Sequence, residues 1–304
     1  MKLVSVVTVN FNHPDVTEAL LQSIERKNTY HLVEVIVVDN GSKKNPVPAW
    51  QMQYPLVNFI RSEKNLGFAA GNNLGIKEAK GDYLFLINND TEITEELIAT
   101  LVSYMEKHPD AGIVSPRINY FDKPEILQYA GYTPMNYYTA RTECIGQFEE
   151  DKGQYSHLTG KTGYAHGAAM MVRREALEAA GLMAENFFLY YEELDWCERI
   201  KKAGYEVHIV MQALIYHKES MSVGKQSALK EYFMNRNRIL FIRRNAPAVK
   251  QWIFGCYFIL VVFPRNILQY LRHRNFRFIT ALFKAVTWNM NHSVDSRELG
   301  YPVG

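Results

Sequence analysis

The apolar run Tyr83-Leu-Phe-Leu-Ile87 breaks off into Asn88-Asn-Asp90-Thr-Glu-Ile93. Five residues of strand character are followed by two amides and a carboxylate. A buried strand that ends this way delivers hard oxygen ligands to the rim of a sheet, where Asp90 could hold a divalent cation against a phosphate. The plainer alternative is turn-making, which Asn and Asp favour on their own account. Two further strand ends carry polar groups. Thr8, Asn10 and Asn12 stand at the close of the first, in Thr8-Val-Asn-Phe-Asn12, and Asp39 closes the second, in Asp39-Asn-Gly-Ser42. An Asp after a second strand can accept hydrogen bonds from a base N–H or a ribose hydroxyl. Between these ends, the stretch Arg61 to Asn73 supplies Asn65, Gly67 and Asn72 where a helix begins. Free N–H groups at a helix start bind anions, although the same composition also makes turns.

These residues need elements that bring them to one edge. Residues 4–9, 34–38, 57–60 and 83–87 read as short buried strands, and residues 15–26, 72–80 and 95–107 as helices. Further strands are expected at 113–116, 167–173, 206–210 and 213–216, with helices at 174–180 and 193–203. Strands alternating with helices predict an α/β fold with a mostly parallel sheet covered by helices on both faces. Ligands in such sheets bind beyond the carboxyl ends of the strands. Residues 119–162 lack clean periodicity and read as loops and short strands.

Composition sets bounds. The chain has 304 residues, enough for one large α/β domain with an appendage. Cys144, Cys197 and Cys256 are scattered without CxxC spacing, which argues against a disulfide framework or zinc site and suits a reducing cytoplasm. The opening runs straight into a strand-like segment, so no signal peptide is expected. A GxGxxG fingerprint after the first strand and a P-loop are both missing, which argues against NAD chemistry and P-loop phosphoryl transfer. Residues 232–294 contain ten Lys or Arg and no Asp or Glu, while the rest of the chain holds 24 basic and 32 acidic residues. The expected partner of that basic, aromatic-rich segment is anionic: a membrane surface, phosphates or the acidic body itself. No recognisable nucleic-acid module accompanies it, and no nucleic-acid partner is expected.

The segments Val4-Ser-Val-Val-Thr-Val-Asn-Phe-Asn12, Val37-Val-Asp-Asn-Gly-Ser42, Asn65-Leu-Gly-Phe-Ala-Ala-Gly-Asn-Asn73 and Leu86-Ile-Asn-Asn-Asp90 together resemble the family 2 glycosyltransferases of the GT-A fold, most closely the rhamnosyltransferase-like group. The resemblance covers residues 1 to about 245. It implies an inverting enzyme with a nucleotide-diphosphate sugar donor, dTDP- or UDP-linked, and Mg²⁺ or Mn²⁺. On this resemblance Asp39 is the base-binding Asp, and Asn88, Asn89 and Asp90 match the metal-binding DXD motif. Asp90 takes the ligating position, and Asn88 replaces the usual first acid. Glu192, Glu193 and Asp195 open a helix. Acids favour helix starts, and Asp195 can pair with Arg199, but the three also resemble the family's acidic base motif. Glu193 occupies the usual base position with Glu192 as its rival, while Asp195 orients the helix or contacts the acceptor. A histidine at the place of His217 often approaches the metal or diphosphate. His166 is either an acceptor contact or a structural loop histidine. Arg236, in the stretch 232–238, resembles a segment that closes over the diphosphate, or else lies on a solvated basic face.

Residues 246–304 are expected to form a helical extension to the catalytic domain at 1–245. Residues 252–263 are apolar apart from Tyr257 but fall short of a spanning helix before Pro264 interrupts them. Residues 266–283 suit an interfacial helix on anionic lipid, or a hairpin that packs on the catalytic domain or makes a homodimer. The resulting expectation is a cytoplasmic enzyme, with the inner face of the membrane as an alternative site, that builds a surface polysaccharide on a saccharide or lipid-linked acceptor. A non-catalytic nucleotide-sugar or glycan-binding relative, and a membrane-associated scaffold, are the competing classes.

Overall fold

The computed structural model describes residues 2–218 and 227–303. β1 (Val4–Asn10) leads through α1 (Pro14–Lys27) to β2 (Val33–Asn40), α2 (Val47–Gln53), β3 (Asn58–Ser62), α3 (Gly67–Glu78) and β4 (Tyr83–Ile87). β5 (Thr91–Ile93), α4 (Leu97–Lys107), β6 (Ala111–Tyr120), β7 (Leu127–Tyr129) and β8 (Gly160–Lys161) follow. Next come β9 (Ala169–Arg173), α5 (Arg174–Ala180), α6 (Glu192–Lys202) and β10 (Glu206–His217). The chain continues through α7 (Ala228–Asn245), α8 (Ala248–Tyr257), α9 (Phe263–Arg272) and α10 (Phe276–Asn291).

The central strands are apolar at nearly every position because both faces are covered. Their alternation still sorts the side chains. Val7, Leu84 and Leu86 join an apolar cluster with Ile76 of α3, Leu177 of α5 and Trp196 of α6. Val6, Tyr83 and Phe85 face the opposite cluster, with Leu20 of α1 and Leu101 of α4. Truncating a fully buried side chain such as Leu101 to Ala would cost about 2–5 kcal/mol.

The strands run in the order β3-β2-β1-β4-β9-β6-β10-β5, with β7 on β6 and β8 on β10. β3, β2, β1 and β4 are parallel, as read from the sequence. β9 enters antiparallel to β4 and β6, so the sheet as a whole is mixed. The expected strands 206–210 and 213–216 are one strand with a register shift between Val210 and Leu214. The break sits opposite Pro116, which has no N–H to donate to the ladder. α3 starts at Gly67, not at the expected Asn72.

The C-terminal helices are not separable from the body. Phe254, Phe258, Val262, Tyr270, Leu282 and Trp288 belong to the same apolar cluster as Val7 and Trp196. Residues Ala248–Arg272 form one continuous helical run of 25 residues. Pro264, which ends the apolar run, does not break this helix. A π-helical turn at Phe258–Val262 precedes it, and the wider turn accommodates a residue that lacks an N–H.

Candidate active site

Parallel pairing of β1 with β2 and β4 brings the ends of all three strands to one edge. A crevice of about 430 Å³ opens there. Asn65, Gly67, Asn72, Asn88, Asn89 and Asp90 line it, as expected from the sequence.

Asp90 is brought to its place by a pairing that the sequence did not reveal. β5 runs antiparallel to the end of β10, with His217 opposite Thr91. The Lys218 N–H donates to the Asp90 carbonyl at 2.9 Å. His217 Nε2 therefore stands 3.1 Å from Asp90 Oδ1, and both side chains are about nine-tenths buried. Asp90 Oδ1 makes no hydrogen bond. His217 Nδ1 lies 2.8 Å from Gln128 Oε1. With that oxygen accepting, Nδ1 carries the proton and Nε2 keeps its lone pair, a tautomer assigned from the network. A carboxylate oxygen and an imidazole lone pair then converge on one point, the donor set that suits a divalent cation. Asp90 and His217 thus fit the metal implied by the resemblance. Asn88 adds no carboxylate. Another cluster, Asp110, Glu206 and His208, lies at the opposite end of β10, with Glu206 already engaged by Lys161 and His208. It is not part of the crevice.

His166 sits 6.1 Å, centroid to centroid, from His217 and stacks on Tyr132. Burial pushes its pKa down to about 3, so it is neutral at physiological pH. Its Nδ1 accepts from the Ala168 N–H at 3.1 Å. The next residue, Gly167, faces the other carboxylates: a Cβ there would stand 3.8 Å from Glu193 Cγ and 4.0 Å from Phe68 Cζ. Phe68 lines the crevice. The His166-Gly167 step therefore touches the Asp90–His217 pair on one side and Glu193 on the other.

Glu192 and Glu193 begin α6 but differ in access. Glu192 is buried, and its Oε2 has no hydrogen-bond partner. Burial, then the neighbouring Glu193 charge, holds its carboxyl well above the usual range. Glu193 is only partly buried, and burial pushes its carboxyl up to about 7. That lies near the working pH that suits a general base.

The turn that carries this pair is strained. Phe188, Tyr190 and Tyr191 have φ of 64°, 70° and 73°, unusual for non-glycine residues. Asn237 holds them: its Nδ2 donates to the carbonyls of Phe187, Leu189 and Tyr190 at 2.7–2.8 Å. Sequence reasoning missed Asn237, which lies in the expected stretch 232–238. Asn237→Ala is expected to cost about 2–3 kcal/mol, because three carbonyls of the turn share the two N–H groups of this amide, one of them in a buried bond. It should also lower kcat more than it raises the donor KM. Urea melts and steady-state kinetics check both.

Two expected site residues require correction. Arg236 neither contacts the crevice nor lies on a solvated face. Its side chain is fully buried, bonded to Asn186 O and Asn237 Oδ1, and stacked 4.0 Å from the Trp288 ring centroid. Asp195 is equally buried and is consumed by Arg199, Arg244 and Asn245, which tie α6 to the end of α7. That engagement is in line with the helix-orienting alternative.

The donor-side residues fall into two layers. Thr8, Asn10 and Asp39 are buried beneath the crevice instead of lining it. Asp39 is ion-paired with Arg61 and accepts from Asn10 Nδ2 at 2.8 Å. Asn12, at φ 61°, bonds to the backbone of Lys43. Asn40, which lines the crevice but was not singled out, accepts from the Leu66 N–H and donates to the Gly67 carbonyl. Leu66, Gly67 and Phe68 donate to Asn40, Asn65 and Phe188, so these N–H groups at the start of α3 are not free for an anion, contrary to expectation. Gly67 has φ +81°, and a Cβ would meet the Phe188 carbonyl at 2.3 Å, so no other residue fits.

Comparison with known proteins bears on the family and the fold. The dTDP-rhamnosyl transferase RfbF of Shigella flexneri is 23% identical over 84% of this chain and 86% of its own length. The low-salt glycan biosynthesis hexosyltransferase Agl10 of Haloferax volcanii is 27% identical over 78% of the chain and 74% of its own length. An uncharacterized protein y4gI of Sinorhizobium fredii is 26% identical over 80% of the chain, which spans only 27% of that protein. Among solved structures, the mannosyltransferase PcManGT of Pyrobaculum calidifontis, in complex with GDP-Man and Mn²⁺, superposes with a TM-score of 0.58 at 15% identity, covering 95% of this chain and 87% of that one. GalNAc-T7 with UDP, GalNAc and Mn²⁺ superposes at 0.61 and 16% identity over 80% of this chain and 48% of its own. These likenesses show the GT-A fold. The model of glycosyl transferase family 2 matches residues 5–181, more than half of the sequence, and the chain belongs to that family.

Proposed function

We propose that the chain transfers a sugar, rhamnose or another hexose, from a nucleotide-diphosphate donor to a hydroxyl of a saccharide or lipid-linked saccharide, with inversion. The observation that carries the reading is the unpartnered Asp90 Oδ1 facing His217 Nε2, joined through His166-Gly167 to the raised Glu193 carboxyl. In this reading Asp90 and His217 hold Mg²⁺ or Mn²⁺, which when bound supplies Lewis-acid charge to the leaving diphosphate. Glu193 takes the proton from the acceptor hydroxyl as that oxygen forms its bond to the anomeric carbon. The C–O bond to the diphosphate breaks on the opposite face, so the configuration inverts. Glu192 is too deeply buried to meet an acceptor, which leaves Glu193 as the base. Rhamnosyl and hexosyl transfer, the activities for which the relatives are named, support the substrate class.

The test is a panel of dTDP- and UDP-linked sugars incubated with the full chain and Mg²⁺ or Mn²⁺. One donor should release its nucleotide diphosphate only when the metal is present, and proton NMR should show an inverted anomeric centre in the product. Turnover that ignores chelator, or a retained configuration, would sink the reading.

A further inference from the structure

A second cleft, of about 460 Å³, opens beside Tyr191, between the loop around Arg141, α7 and α9. Four cations line it: Arg141, Lys230, Arg238 and Arg265. Among the described residues none of the four is ion-paired with a carboxylate. The lining includes one acid, Glu231, which accepts from the Tyr270 hydroxyl and from Asn235. Arg238 Nε is buried without a partner, while its NH2 donates to the Thr139 carbonyl. Burial lowers the Arg238 pKa from its ordinary value, and nearby Arg141 acts in the same direction. Like charges gathered around an unsatisfied buried donor are a site for a multivalent anion.

The helix that forms one wall of the cleft has a second face of different character. On Ala248–Arg272, Phe254, Phe258, Val262, Asn266 and Tyr270 pack inward. Trp252, Ile259, Leu260, Val261, Leu268 and Leu271 point outward; Trp252 and Leu260 are 73% and 74% exposed. By the usual rise this helix is roughly 37 Å long and could cross a bilayer. Its inner face is fastened to α7 through Asn266 to Asn235 and Tyr270 to Glu231, so it lies along the protein. Arg272, Arg274 and Arg277 follow, with no acid among residues 232–294. An exposed apolar face with a basic rim suits the surface of an anionic membrane.

A cationic cleft and an exposed apolar face on the same helix fit an amphiphile with a multiply charged head. We propose that this cleft binds the diphosphate of a lipid-linked acceptor, whose hydrocarbon chain runs out along the exposed face of residues 248–272. Tyr191, in the cleft wall, immediately precedes the two glutamates, so a saccharide on that diphosphate extends toward Glu193. The proposal rests on the glycosyl-transfer reading for what the bound lipid does, and can be tested without it.

The test uses flotation of the full chain with phosphatidylcholine vesicles. The vesicles are plain, doped with a small fraction of a prenyl diphosphate, or doped with phosphatidylglycerol at equal charge. Wild type should bind the prenyl-diphosphate vesicles about 10-fold or more tighter than the other two. Arg141→Gln with Arg265→Gln should lose that increment. Trp252→Ser with Leu260→Ser should weaken binding to all three. Soluble pyrophosphate should compete poorly, because it lacks the tail. Equal binding to both anionic vesicles, full competition by pyrophosphate, or a stable dimer that buries Trp252 and Leu260 and ignores vesicles would each overturn the proposal. Metal-dependent release of nucleotide diphosphate without acceptor should be unchanged in Arg141→Gln/Arg265→Gln, so failure of the lipid site and failure of glycosyl transfer read out separately.

Discussion

Glu193→Gln is expected to lower kcat for sugar transfer by about 10³-fold while leaving donor affinity within a few-fold of wild type. The amide keeps the shape of the side chain and its place beside Gly167 and Phe68 but cannot take a proton. Glu192→Gln should cost far less, because that carboxyl is buried away from the crevice, where burial favours its neutral form. The pH profile gives a second reading of the same residue. A base works when deprotonated, so activity should rise with pH through about 7, where burial has set the Glu193 carboxyl. The two glutamates interact, so the limb reports the pair. Glu193→Gln should abolish that limb in whatever activity remains. Steady-state kinetics across the neutral range check both. A small loss in Glu193→Gln with a large one in Glu192→Gln would move the base to Glu192. The same shift bears on stability. Carboxyls held above their unfolded values stabilise the folded state fully below the unfolded value. That contribution is lost as pH rises through about 7, so the protein should be less stable in mild alkali than in mild acid.

Asp90→Ala is expected to lower kcat/KM on the order of 10³-fold, because Asp90 supplies the one carboxylate of the proposed metal site. His217→Ala should keep more activity but raise the Mn²⁺ needed for half-activation by about 10–100-fold, since a single carboxylate remains. Gln128→Ala should shift the same curve in the same direction by less, through loss of the partner that fixes the His217 ring. Metal titrations of activity after chelation separate the three. Unaltered Mn²⁺ dependence in both Asp90→Ala and His217→Ala would remove these residues from the metal site.

The strand ends were legible because a doubly covered strand is an apolar run, and its polar terminus stands out against it. Asn88, Asn89 and Asp90 stand out that way, whereas Asn65, Gly67 and Asn72 stand out as a Gly/Asn stretch at a helix start. What escaped depends on contacts between distant residues. Three residues, Thr91 to Ile93, are too few to show a period, yet their pairing with the end of β10 sets His217 against Asp90. Arg236 and Asn237 look like a polar helix face, but the tail returns as α10 and buries them. Trp288 then covers one while the other caps the strained turn. The role first assigned to Arg236 therefore failed for want of knowing what lay above it. The continuity of the helix through Pro264 was not legible either, because a π-helical turn is not visible in residue types.

In the proposed transfer two carboxylates divide the labour, Asp90 for the donor and Glu193 for the acceptor. Calorimetric titration of the preferred nucleotide-diphosphate sugar, with and without Mn²⁺, tests that division most directly. Wild type and Glu193→Gln should bind the donor with the same metal dependence, although only wild type turns it over. Asp90→Asn should bind weakly whether or not Mn²⁺ is present. Metal-independent binding that is equal in all three proteins, or loss of donor binding in Glu193→Gln, would contradict the account.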